Sequence, residues 1–371
     1  MKSRLPRILL LTAFMASAMA AIGVRPVRAE TPSAPRETPS ATERMPAPEA
    51  GAATRSGPGD DDLLPMPAQP DGDGAWAGED HGTEGDLAYG AYQRGLYLTA
   101  FLAATERLED DPADAPAMTL IGELYRDGLG LPRDLERARE WYALAAGLGD
   151  PHAEFALGEI ALGEISLEDA TSDTGTAQDA RLRGDARGHF RRAAEAGHPA
   201  AAYNLALMLL AEDASTADRE VVRWLRQAVD ADIPAAQYEL AAIYREGTGV
   251  DADAARATAL LHRAARNGHV PAMLEYGIAV FNGAGVAPDE ARAASWLRRA
   301  AWHGDARARN RLALLYASGR GVEADQVEAA AWHLLAASQG FDDERLDAAL
   351  RDLSQEERAR AEALARDRAW P

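Results

Sequence analysis

Bulky and small positions recur along the chain with a single period. Trp224, Leu260, Trp296 and Trp332 form a column at intervals of 36 residues. Gly247, Gly283 and Gly319 form a second column, and Gly268, Gly304 and Gly340 a third, at the same interval. Three independent columns in one register mark an internal repeat, and a period of this length points to stacked supersecondary units. Each unit reads as two helices. The first carries a small residue with a tyrosine three positions on, as in Gly122/Tyr125, Ala241/Tyr244 and Ala313/Tyr316. The small residue lets a neighbouring helix approach closely, and the ring fills the space one turn on. A glycine turn follows, opening at Gly128, Gly247, Gly283 or Gly319, where a left-handed cap ends the helix. An acidic residue such as Asp134, Asp289 or Asp325 then opens the second helix. There Trp141/Ala145, Trp296/Ala300 and Trp332/Ala336 place a large and a small side chain on one face. Units close at Gly149, Gly197, Gly268, Gly304 or Gly340, followed by Asp or His; Asp there is a good cap for the next helix.

This pattern resembles the Sel-one-like repeats, relatives of the tetratricopeptide repeats. The resemblance covers residues 114–341, about six units, of which the fourth to sixth match best. It implies an all-α fold, a right-handed α-solenoid of helix-turn-helix repeats. Unit two lacks the glycine turn, has His189 where tryptophan is expected, and carries a 12-residue excess expected to loop out near Glu164 to Gln178. Unit three also lacks the turn and has Asp232 for its closing glycine. Residues 86–113 read as a degenerate leading helix pair and 342–371 as capping helices. End units need such caps to cover an apolar face.

The start of the chain reads as an address. Lys2, Arg4 and Arg7 precede an uncharged apolar run from Ile8 to Val24, and Val27-Arg28-Ala29 offers a cleavage site. Residues 1–29 are expected to be a secretory signal peptide and the mature protein periplasmic; an uncleaved anchor is the alternative. Residues 30–85, rich in Pro, Ala, Gly and acids, are expected to be a disordered linker. The formal net charge of the 371-residue chain is −20. Such a chain repels nucleic acid and anionic membranes and favours basic partner faces. Lys2 is the only lysine and cysteine is absent, so beyond residue 2 Schiff-base, thiol and thiolate-metal chemistry are excluded.

No catalytic constellation, metal-binding spacing or cofactor motif is found. The histidines lack the His-Glu-x-x-His spacing, no Gly-x-Ser-x-Gly elbow occurs, and the glycine turns follow helices rather than strands. Consensus residues, including Gly128, Trp141, Trp224, Gly247, Gly283, Trp296, Gly319 and Trp332, are assigned to packing and turns. Function is expected at positions the repeat does not dictate. In the tetratricopeptide family the first helices line a groove that grips partner segments. By that resemblance the position two residues ahead of the small residue is informative: Leu120, Ala156, Asn204, Glu239, Glu275 and Arg311. Gln237, Met273 and Arg309 are taken as neighbouring exposed candidates. The expected function is a non-enzymatic, exported scaffold or adaptor that captures a protein partner in envelope signalling or assembly. A periplasmic regulator of a membrane sensor, a secreted effector and a cell-wall hydrolase stand as alternatives. The hydrolase requires two carboxylates facing across a cleft.

Overall fold

The computed structural model describes residues 86–165, 177–212 and 219–369, so the signal-peptide and linker readings lie outside the described residues. Over these residues the chain forms sixteen α-helices and no strand. A leading pair, α1 (Leu87–Gln93) and α2 (Tyr97–Asp110), comes first. Six pairs follow: α3 (Ala115–Asp127) with α4 (Leu135–Gly147), α5 (Pro151–Gly163) with α6 (Ala177–Glu195), and α7 (Pro199–Glu212) with α8 (Arg219–Asp230). The last three are α9 (Pro234–Glu246) with α10 (Ala254–Arg266), α11 (Val270–Asn282) with α12 (Glu290–Trp302), and α13 (Ala306–Ser318) with α14 (Gln326–Ala337). Helices α15 (Glu344–Asp352) and α16 (Gln355–Arg368) end the array. The main packing partners of each helix are its chain neighbours, as expected of a repeat array; at the end, α16 instead lies on α14.

One core column explains the small residue of the first helix. The residue after each tryptophan position faces it: Tyr142, Phe190, Leu225, Leu261, Leu297 and His333, all buried. Rings lie close against glycine here. A Cβ at Gly122 would sit 2.7 Å from the Tyr142 ring and one at Gly158 2.6 Å from Phe190. In the last unit the column ends in a histidine, whose Nε2 lies 2.8 Å from Asp347 Oδ1 on α15. The final repeat thus ties its core to the cap. Arg368 of α16 closes the same end with paired bonds of 2.8 and 2.7 Å to Glu328, its guanidinium 4.7 Å from the Trp332 ring centre.

The turns serve two purposes. Gly128, Gly247, Gly283 and Gly319 take left-handed caps with φ near +70°. The second turn glycines press the chain onto the preceding unit: a Cβ on Gly285 would collide with the Ala254 carbonyl, and one on Gly321 with that of Glu290. Asp134, Asp253, Asp289 and Asp325 cap the second helices through main-chain N–H groups. At the unit junctions histidine does the same work as aspartate: His198 Nδ1 accepts from Ala201 N at 3.1 Å and His269 Nδ1 from Ala272 N at 3.3 Å.

The two degenerate units keep the architecture by other means. Helix α6 runs for 19 residues where α4 has 13, so part of the excess lengthens a helix; the rest falls in residues 166–176, outside the described residues. His189, in place of tryptophan, joins Arg192 on the buried Glu154, each 2.6 Å from a carboxylate oxygen. Asp232 takes the left-handed conformation at φ 60° that glycine takes elsewhere. Aspartate tolerates this conformation better than most residues, and Arg263 (2.7 Å) and Gln237 (3.2 Å) both donate to its Oδ1.

Candidate functional site

The repeat determines which first-helix positions are free. Positions four residues ahead of the small residue are Met118, Glu154, Ala202, Gln237, Met273 and Arg309, and every one is buried. Four residues is about one helical turn, so these side chains share the packed face of the small residue. Gln237, Met273 and Arg309 are therefore corrected from exposed candidates to core residues. Arg309 donates its Nε to the Ala301 carbonyl at 3.1 Å, closing the end of α12. Burial pushes its pKa down, with Asp305 opposing that shift.

The remaining candidates divide along the array. Leu120 and Ala156 are buried; Asn204, Glu239 and Glu275 are half-buried; Arg311 is exposed. Three residues on, and so beside them on the helix, lies a half-buried line of Glu123, Glu159, Leu207, Ala242, Ile278 and Leu314. The line begins acidic and ends aliphatic.

At the acidic end, desolvation raises the pKa of both Glu123 and Glu159 to about 7, against the pull of Arg126. Arg126 lies 3.6 Å from Glu159 and 2.8 Å from Asp127, so its charge is met within the chain. At the aliphatic end the surface is recessed. A hollow of about 460 Å³ is lined by Glu275, Ile278, Arg307, Asn310, Arg311 and Leu314, with Phe341 and Arg345 arriving from beyond α14. A second hollow of about 190 Å³ shares Ile278, Arg311 and Leu314 and continues past Phe281 to Ser318 and Arg320. Together they form a trough along α13. Thus Glu275 and Arg311 are brought together, whereas Asn204 and Glu239 lie outside the trough.

The trough carries more positive than negative charge. Glu275 is its single carboxylate and already meets Arg245 at 3.2 Å and Arg307 at 3.9 Å. Arg345 pairs with Asp343 at 2.9 Å, and Arg320 with Glu290. Arg311 has no ion pair or hydrogen bond among the described residues. Asn310 is buried beneath it, and its Oδ1 accepts no hydrogen bond. Neither hollow holds a carboxylate pair, and among the described residues no three of His, Asp and Glu converge on a possible metal site. No described helix is long and apolar enough to cross a membrane. Arg307, Asn310, Phe341 and Arg345 went unseen in the sequence. The first two share a helix face with Arg311 and Leu314, whereas Phe341 and Arg345 reach the trough only by tertiary packing.

The Sel1 repeat family model matches residues 115–150, 151–198, 234–269, 270–305 and 306–341, which is more than half of the chain. The chain belongs to the Sel1 repeat family. Five Sel1 repeats are matched rather than six; between the second and third of them, α7 and α8 pair as the helices of the matched units do. Sel1 repeat proteins generally act as scaffolds for protein–protein interaction. A crystal structure of a protective antigen present in uropathogenic Escherichia coli strains, displaying the same repeat fold, is 26% identical with a TM-score of 0.60. That match covers 76% of this chain, which spans only 59% of the antigen. A Sel1 repeat protein from Oxalobacter formigenes is 28% identical with a TM-score of 0.53, over 68% of this chain and 98% of that one. No curated protein matches the sequence.

Proposed function

We propose that this chain is an exported bacterial scaffold that holds a segment of a partner protein in the trough along α13. The observation that carries this reading is the unpaired Arg311 beside the half-exposed aliphatic floor of Ile278 and Leu314. Concave surface that combines apolar side chains with a few polar groups is where ligands are most often held. The leader-like first 29 residues support export to the periplasm, and likeness to a bacterial protective antigen is in keeping with it. Envelope signalling or assembly is the setting we assign to the scaffold.

The test places a photo-reactive amino acid at Leu314 of the full chain expressed in a Gram-negative host. Adducts are then compared with those of the same chain carrying Arg311→Glu. One adduct of defined mass, lost in the reversed variant, is expected; no adduct at this position, or one indifferent to Arg311, contradicts the reading. Export is read separately from the mass of the mature chain, which should begin at Glu30.

A further inference from the structure

The shape and charge of the trough define what fits it. Helix α13 has 13 residues and is therefore about 20 Å long at ~1.5 Å per residue. An extended segment advancing ~3.3 Å per residue covers that length with about six residues. Arg307 and Arg311 stand one turn apart on the same face, flanked by Ile278, Leu314 and Phe341. Guanidinium groups prefer carboxylates, which they bind in a planar fork. The aliphatic floor beside them requires bulky apolar side chains on the same side of the ligand. Alternate residues of an extended chain share one side at a spacing of ~6.6 Å, close to the one-turn separation of the two arginines, so two acids spaced two apart and followed by aliphatics at the same spacing satisfy both demands. The net charge of −20 across the whole chain argues against nucleic acid.

We infer that the trough along α13 binds an extended partner segment of about six residues that presents along one side two carboxylates spaced two residues apart, followed by bulky aliphatic side chains. This rests on the scaffold reading and narrows it to one ligand class. Arg311 and Arg307 take the carboxylates, and Ile278, Leu314 and Phe341 take the aliphatic groups.

The probe is an acetylated, fluorescein-labelled peptide, Glu-Ser-Glu-Ser-Leu-Ser-Leu, titrated with the full chain and followed by anisotropy. Parallel probes replace its glutamates by glutamines, or its leucines by serines; a labelled oligothymidine of equal length is the nucleic-acid arm. The acidic peptide should bind, and either replacement should weaken it by roughly fivefold, about 1 kcal/mol. Arg311→Gln in the protein should cost the same factor, and Glu123→Gln should change nothing. Raising the salt should weaken binding of the acidic peptide more than of the glutamine peptide. Equal binding of the glutamine peptide, indifference to Arg311→Gln, tighter binding of oligothymidine, or no binding of the acidic peptide at ~1 mM overturns the inference. A Leu314 photo-adduct that persists after any of those results leaves the scaffold standing and removes only the ligand class; loss of both removes the scaffold as well.

Discussion

Glu123 and Glu159 hold, at one end of the first-helix line, the positions that Ile278 and Leu314 hold at the other. The backbone is alike at both ends: a 13-residue first helix, an aspartate-capped or proline-led start and a buried small residue. The chemistry is not. In the first two units Arg126 is met by Asp127 and Glu159, and desolvated carboxylates crowd around it. In the last two units Arg311 borders a hollow whose one carboxylate, Glu275, is met by Arg245 and Arg307, and Arg311 itself has no ion pair among the described residues. A repeat constrains only the columns that pack. The columns it leaves free can be satisfied internally, as at the start of the array, or left without an internal partner, as at its end.

The largest contrast concerns packing. Gly122→Ala forces a methyl to within 2.7 Å of the wholly buried Tyr142 ring and should cost about 2–3 kcal/mol in denaturant unfolding. Gly277→Ala meets the branched Leu297 at 3.0 Å, and the helix-propensity gain of about 1 kcal/mol offsets most of the crowding. A net loss under about 1 kcal/mol is expected there; equal losses at the two sites would erase the distinction between ring-locked and aliphatic units.

Acid–base behaviour sharpens the comparison next. With folded pKa values near 7 against an ordinary 4.5, Glu123 and Glu159 hold protons that the unfolded chain releases. Their contribution is therefore most favourable below pH 4.5 and is lost as pH rises through 7. Glu123→Gln with Glu159→Gln should raise stability at pH 8 by on the order of 1–2 kcal/mol and change little at pH 4. A stability–pH curve unchanged by the double substitution would contradict the desolvated pair.

The junction histidines titrate in the opposite sense. Burial lowers His269 to about 4 and, together with the neighbouring His152, lowers His198 to about 3; each ring accepts its capping bond in the neutral form. Their stabilisation is complete above pH 6.5 and drains away as pH falls toward those values. Changing His269 to the aspartate used at other junctions, His269→Asp, should flatten the loss between pH 6.5 and 4.5 by on the order of 1 kcal/mol. An unaltered slope would show that the cap does not govern the titration. The smallest effect is expected for Asp232→Gly, within about 0.5 kcal/mol in thermal unfolding, because relief of the left-handed backbone balances the lost bonds from Arg263 and Gln237.

The parts of this molecule that repeat were legible in its sequence. Gly128, Gly247, Gly283 and Gly319 announce their left-handed caps, and Asp134, Asp289 and Asp325 their N-caps, because each role depends on neighbours in the chain. Glu275 and Arg311 were also readable as departures from the repeat. Gln237, Met273 and Arg309 were taken as exposed neighbours of the groove positions, while their spacing of four from the small residue already placed them on its packed face. Phe341 and Arg345 were beyond reach for a different reason: they come to the trough from the far side of α14, and no spacing within α13 points to them.

The most direct test of the open end against the closed end uses the same photo-reactive residue at two equivalent positions, Leu314 and Glu123, in living cells. A partner adduct is expected from Leu314, with the crosslinked peptide carrying acids and aliphatics on alternate residues, and none from Glu123. An adduct from Glu123 alone would place recognition at the acidic end and contradict the central claim.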